Sequence, residues 1–408
     1  MTLSHYFLAC FGEPHFEFHK YRSTTLTMVT AKLEIAAGAT HSKETLASIL
    51  TDYFDSKLVE HKILFGGYSG TNYMVKLSDG SQYVLKVTNG YSIDEAEFMC
   101  KTAYHLVTNN FKDCCWAVEK KTDSQEKYRF VSLKEPNGVP AFMLTFSIGK
   151  QADKVMREQP KLASAVMKNI GGGLGRMHLA AAGISNSKQA TDLGLRWYQI
   201  SGGCCDVSDH VSGKILHRIK RCPVPERKES YLSFYEPELN VLVQEMSLAT
   251  EGKLQHGITH GDPFADNILV NEETGALSAF IDIEDICVGP LLFDLACCAI
   301  GCCFHQAKEG SNYPQVLDME LFQALIQGYN SERRLPDLEM EHLVPFMRLA
   351  LLCNCSWRFV KFNVPNHDGT SDFPDEAKLS YLELQHRIEY LNDQATLKMI
   401  NEQLAHLK

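Results

Sequence analysis

Apolar and polar positions alternate through the first third of the chain in the manner of short strands. Ile63 to Leu77 forms two strand-like runs interrupted by Gly66, Gly67 and Gly70, and Gln82 to Val87 forms another beyond the hairpin signal Asp79-Gly80. Ser42 to Phe54 has helical spacing instead, with Leu46, Ile49, Leu50 and Phe54 on one face and Ser42 placed as N-cap. A helix over Ile93 to Val107 follows, then two strands, Phe130 to Leu133 and Ala141 to Phe146. From Pro160 to Gly183 the spacing is helical, with Leu162, Val166, Ile170, Leu174, Met177 and Leu179 on one stripe. Helices are further predicted over Asn240 to Leu248, Leu295 to Phe304, Met319 to Tyr329, Glu341 to Phe362 and Ala377 to Leu391. Strands gathered early and helices late predict an α+β chain.

One strand signal interrupts the helical part. Ile268 to Val270 and Ala279 to Ile281 flank the turn-rich Asn271 to Gly275, which predicts a hairpin with Asn267 and Asp282 at its open end. Upstream lies His260-Gly-Asp262. Phosphoryl transfer from a metal-bound nucleotide needs a carboxylate for the acceptor hydroxyl and hard oxygen ligands for the metal. Asp262 would take the hydroxyl proton, Asn267 would offer its side-chain carbonyl to Mg2+, and Asp282 would supply the anionic ligand. Glu284 and Asp285 either add to that metal site or are solvated turn acids, and Asp294 stands where an N-cap would precede an apolar helix.

His260-Gly-Asp262-x-x-x-x-Asn267, then Ile281-Asp282-x-Glu-Asp285 and Asp294-Leu-Ala, resembles the catalytic and metal-binding loops of the aminoglycoside phosphotransferase and choline kinase superfamily. The resemblance implies a two-lobed protein-kinase-like fold. Residues 41–144 would be a nucleotide-binding lobe with a small antiparallel sheet, 145–149 a hinge meeting adenine, and 150–408 a larger, mainly helical catalytic and substrate-binding lobe. Residues 1–40 would be an extension, open to disorder. It also implies that His260 and Asp294 support the catalytic loop. Lys86, at the end of the third strand, would contact the nucleotide phosphates, and Glu95 would hold that lysine, with Glu97 as the alternative. Gly67, Ser69 and Gly70 of the glycine-rich hairpin would let backbone N–H groups approach those phosphates. His178 reads as a packed helix-end histidine.

The sequence Asp262-x-Phe264-x-Asp266-Asn267 is similar to the loop of type II homoserine kinases. That likeness places Asp266 and Arg358 at the acceptor, with Arg358 pairing a substrate carboxylate because a planar guanidinium fits it. Ile283-Glu284-Asp285 departs from that branch, which has aromatic residues after the metal-binding Asp. The expected reaction is therefore ATP- and Mg2+-dependent phosphorylation of a small-molecule hydroxyl, homoserine first. Hydroxylysine, choline or ethanolamine is the alternative, and a catalytically silent kinase-like binding protein is the reading from another class.

Composition narrows the partners. The 408 residues are 45% hydrophobic and 22% charged with net charge −10, which argues against broad attraction to nucleic acid or an anionic membrane. The longest apolar run, Leu295 to Phe304, is short of the roughly 20 residues of a membrane span. Fourteen cysteines include the adjacent pairs Cys114-Cys115, Cys204-Cys205, Cys297-Cys298 and Cys302-Cys303, which lack zinc spacing and read as small buried hydrophobes. Free thiols in this number imply a reducing compartment and a cytoplasmic location, with organelle targeting by the first 40 residues as the alternative.

Overall fold

The computed structural model describes residues 41–64, 70–88, 91–121, 127–181, 209–210, 212–250, 253–365 and 373–407. The proposed extension, Gly67, Ser69 and the Cys204-Cys205 pair lie outside the described residues.

Helix α1 (Lys43–Leu50) starts at Ser42, whose side chain accepts the Thr45 amide as expected. Strands β1 (Leu58–Leu64), β2 (Gly70–Leu77), β3 (Gln82–Thr88) and, after helix α2 (Ile93–Thr108), β4 (Ala141–Thr145) form an antiparallel sheet in the order β1-β2-β3-β4. The period-2 alternation of strands sorts side chains between the two faces. Tyr73, Val75, Leu85, Val87 and Met143 pack with Leu46, Ile49 and Leu50 of α1 in one core, while Phe142 and Leu144 join the larger core with Ala96, Met99 and Ala103 of α2. Lys86, between Leu85 and Val87, therefore projects from the face turned toward the rest of the molecule.

Phe130 to Leu133 is not a strand: among the described residues its pairing is a single bridge, Ser132 to Ala141. The backbone N–H groups of Arg129, Phe130 and Val131 instead donate to the buried Glu97 carboxylate, so a side chain takes the place of a ladder.

Beyond β4 the chain passes through Ser147 and Ile148 to β5 (Lys150–Gln151), α3 (Ala152–Glu158) and α4 (Ala163–Ala181). Helix α5 (Lys214–Ile219) follows, and α6 (Pro225–Thr250) is much longer than the expected Asn240 to Leu248. Two small antiparallel pairs carry the loops of interest: β6 (His256–Thr259) with β9 (Cys287–Pro290), and β7 (Ile268–Val270) with β8 (Leu277–Phe280). Helix α7 (Leu291–Cys302) begins earlier than predicted, so Asp294 sits in its first turn and Pro290 at the cap position. The N-cap reading of Asp294 is thereby corrected.

The hairpin β10 (Phe304–Gln306) and β11 (Gln315–Leu317) leads to α8 (Met319–Glu332) and α9 (Asp337–Asn363). The single helix predicted over Ala377 to Leu391 is two, α10 (Asp375–Lys378) and α11 (Tyr381–Asn392), followed by the unpredicted α12 (Gln394–Ala405). Helix α9 is long and apolar enough to cross a membrane by length and composition, yet 72% of its most apolar stretch is buried inside the fold. Cys114, Cys115, Cys297, Cys298, Cys302 and Cys303 are free and buried, as small hydrophobes would be. The whole is a four-stranded antiparallel sheet with helices on both faces, joined to a mainly helical remainder.

Candidate active site

The β7–β8 hairpin forms as predicted. Asn271 accepts at Oδ1 from the Glu273 and Thr274 amides, and Gly275 closes the turn with φ 69°. At the open end the Ile281 amide donates to the Asn267 carbonyl at 2.9 Å, which sets Asn267 beside Asp282. Asp282 has φ 62° and ψ 63°, a left-handed conformation that costs energy for a residue with a Cβ. Strain of this kind persists where the surroundings over-determine it, and it clusters at functional sites. The twist turns the Asp282 carboxylate to Lys86, 3.4 Å from Oδ1, while Lys86 itself is only 4% exposed.

Asn267 also reaches back. Its Nδ2 donates to Asp262 Oδ2 at 2.8 Å and to the Asp262 carbonyl at 3.0 Å. Both donors of the amide are thereby aimed at Asp262, and Oδ1 is left as the acceptor end. Burial, followed by the nearby Asp266 and Asp282 carboxylates, raises the Asp262 pKa to about 8. A cation is what such a carboxylate-rich place requires. An asparagine carbonyl oxygen and one anionic carboxylate suit Mg2+, which takes few protein ligands and shares the rest with phosphates.

His260 and Gly261 are tied from below. Their amides donate to the two oxygens of Asp294, at 2.6 Å to Oδ2 and 2.8 Å to Oδ1, and Asp294 is fully buried. His260 Nε2 lies 3.0 Å from the Ile281 carbonyl and Nδ1 lies 3.3 Å from the Asp262 amide. A carbonyl can only accept and an amide can only donate, so the ring is neutral with its proton on Nε2. Burial, which lowers the imidazole pKa, agrees. Gly261 has φ 85°, and a Cβ there would stand 2.2 Å from the Asp285 carbonyl oxygen, so both conformation and space demand glycine in the His-Gly-Asp motif.

The remaining candidates are placed as follows. Gly70 opens β2, where a Cβ would meet the Val87 carbonyl at 2.4 Å, so close strand approach accounts for glycine there. Glu95 closes a capping box on α2, with Oε2 2.8 Å from the Ser92 amide, a role the sequence reading did not give it. The alternative, Glu97, is committed to the amides of residues 129–131. Asp266 is exposed, and its carbonyl accepts from Gln151 of β5 at 2.9 Å. Arg358 lies on α9, bonded to the Ser380 carbonyl and to Glu383 at 3.1 and 3.2 Å. Glu383 also holds Arg387, whose NH1 donates to the Ile300 carbonyl; the next residue, Gly301, abuts the Phe264 ring of the catalytic loop.

His178, read from sequence as a packed histidine, is buried and bonds Asp294 Oδ2 through Nε2 at 3.1 Å. The available signal was Gly171-Gly172-Gly173 in the middle of α4. Glycine weakens a helix, so three in a row mark a place where another backbone comes close. A Cβ on Gly171 would lie 2.1 Å from the Leu325 carbonyl, and one on Gly328 would lie 1.9 Å from the Lys168 carbonyl. That approach of α4 and α8 sets His178 beside Tyr329.

The profile of the phosphotransferase enzyme family matches residues 61–338. A homoserine kinase from Nitrobacter winogradskyi is 25% identical over 332 residues, 79% of this chain and 86% of that protein. Among solved structures, an amicoumacin kinase in complex with AMP-PNP, Ca2+ and Ami aligns with TM-score 0.61 at 14% identity, covering 86% of this chain and 93% of the other. A microcompartment-associated aminopropanol kinase aligns with TM-score 0.60 at 15% identity, covering 88% and 99%. These neighbours share the two-lobed kinase-like fold.

Proposed function

The chain belongs to the phosphotransferase enzyme family, an ATP-dependent small-molecule kinase by that membership, and from this premise we propose that it phosphorylates the hydroxyl of a small amino alcohol, with homoserine as the favoured acceptor. The observation that carries the chemistry is the triangle at the hairpin's open end: Asp262 bonded to Asn267, and Asn267 set beside Asp282. Asp262 orients the acceptor hydroxyl and takes its proton. Asn267 Oδ1 and the Asp282 carboxylate would hold Mg2+, and Lys86, now 3.4 Å from Asp282 Oδ1, would meet the nucleotide phosphates. Bound Mg2+ would neutralise charge on the phosphates during transfer. Gly70 would lie on the phosphate side, and Ile148, 87% exposed between β4 and β5, would cover the adenine.

The relatives that carry that name support homoserine. A hydroxy amino acid presents an ammonium and a carboxylate. Asp266 answers the first, and Arg358 answers the second once the ligand displaces Glu383. An amino alcohol without a carboxylate would use Asp266 alone, as suits a fold shared with an aminopropanol kinase.

An ADP-release assay across homoserine, aminopropanol, ethanolamine, choline and hydroxylysine tests this. Homoserine should give the highest kcat/KM. A tenfold preference for another alcohol would move the acceptor, and absence of acceptor-dependent ADP release with all five would leave the silent binding protein as the reading.

A further inference from the structure

Below the catalytic loop runs a buried circuit that begins and ends on one side chain, Arg333. This guanidinium, 6% exposed, forks onto Glu339 with NH1 to Oε2 and NH2 to Oε1, both at 2.8 Å. NH1 also donates to the Tyr329 hydroxyl at 2.9 Å. An arginine cannot accept, so the phenol oxygen accepts here and its own hydrogen goes to His178 Nδ1, 2.7 Å away. Burial raises the Tyr329 pKa, which keeps that hydrogen in place. His178 must then donate through Nε2 to Asp294, whose two oxygens hold the His260 and Gly261 amides.

The same guanidinium reaches the loop from its other side. Arg333 Nε lies 3.1 Å from Gln255 Oε1, NH2 donates to the same oxygen, and the Gln255 amide donates to Glu339 Oε1 at 3.3 Å. Gln255 immediately precedes β6, and β6 runs directly into His260. Both ends of the strand that delivers Asp262 are therefore fastened to Arg333, one through two bonds and the other through the Tyr329–His178–Asp294 chain.

Resting on the kinase reading above, we infer that Tyr329 and Arg333 are positioning residues for the phosphoryl-transfer loop, fixing the height and tilt of Asp262 from α8. Stability alone is a weak reason for this arrangement, because a buried ion pair is often no better than well-packed apolar residues in its place. Geometry is a stronger one. Loss of the Tyr329 hydroxyl leaves His178 Nδ1 without its partner and removes the one link that ties the imidazole on Asp294 back to Arg333, which loosens the base on which Asp294 grips two backbone amides.

Tyr329→Phe removes that hydroxyl and little volume, and Arg333→Lys removes the fork; Arg348→Lys, which weakens the Arg348–Glu238 pair elsewhere, is the stability control. Hydrogen–deuterium exchange at the His260 and Gly261 amides reads the positioning without turnover. Both test variants should speed that exchange relative to β2 and β3, and the control should not. In the acceptor assay Tyr329→Phe should lower kcat roughly ten- to a hundredfold with both KM values near wild type. Wild-type exchange at His260 and Gly261, or a kcat within twofold of wild type, overturns the inference. Inactive wild-type protein overturns the kinase reading instead, and exchange still decides the circuit.

Discussion

Asn267 donates both of its side-chain hydrogens to Asp262, at 2.8 Å to the carboxylate and 3.0 Å to the carbonyl. One residue thus orients the proposed base and, by the same bonds, turns its own carbonyl oxygen outward for a metal. Asn267→Ala should damage both duties at once. The expected result is a kcat lower by on the order of 10²-fold together with a higher Mg2+ requirement, measured by titrating Mg2+ at saturating ATP. A variant with unchanged Mg2+ dependence would separate Asn267 from the metal.

The Asp262 carboxyl has a folded pKa of about 8 against an ordinary 3.8. A raised carboxyl pKa stabilises the fold fully below pH 3.8, and that contribution is lost as pH rises toward 8. At pH 8 the metal-free protein therefore carries a buried charge that Asp262→Asn removes while keeping an oxygen for Asn267. Thermal unfolding should show the variant's Tm higher by roughly 1–2 °C, about 1 kcal/mol for a chain of this size, and the difference should vanish near pH 4.

His260 has the opposite sign. Its imidazole pKa is depressed by burial below the ordinary 6.5, so its contribution to stability is complete above pH 6.5 and is lost as the pH falls. Chemical denaturation from pH 7.5 to 5.5 should show wild type losing more stability than His260→Asn. Parallel curves would mean that the ring is protonated without cost.

Alanine for glycine in a helix usually stabilises. At Gly328 the sign should reverse, because a Cβ would sit 1.9 Å from the Lys168 carbonyl and force α4 and α8 apart. Overpacking of this kind costs about 1–3 kcal/mol, more than the roughly 1 kcal/mol of helix propensity gained. Gly328→Ala should lower the denaturation midpoint, and a midpoint at or above wild type would contradict the packing described.

The parts of this site that follow local rules were legible in the sequence. The β7–β8 hairpin declared itself by alternation and the Asn271-to-Gly275 turn, and the spacing of Asp262, Asn267 and Asp282 carried the chemistry with it. Lys86 was marked by the likeness of its strand to the third strand of kinases. What failed depended on distant partners. Phe130 to Leu133 alternates like a strand, yet the Glu97 carboxylate, more than 30 positions earlier, takes its amides. Asp294 has the composition of a cap, and its brace on residues 33 and 34 positions before it was implied by the family resemblance alone. Tyr329, Arg333 and Glu339 carry no motif, and only the closeness of α4 and α8 gives them a role. Their sole trace in the sequence is the glycine run of α4.

The central claim is that Asp262 receives the acceptor's proton during transfer of the γ-phosphoryl group. Its most direct test follows transfer from γ-labelled ATP to homoserine by wild type and Asp262→Asn, with nucleotide binding measured on both. The account predicts labelled phosphohomoserine from wild type, loss of nearly all transfer in the variant, and nucleotide affinity within a few-fold. Transfer by Asp262→Asn at the wild-type rate would contradict it.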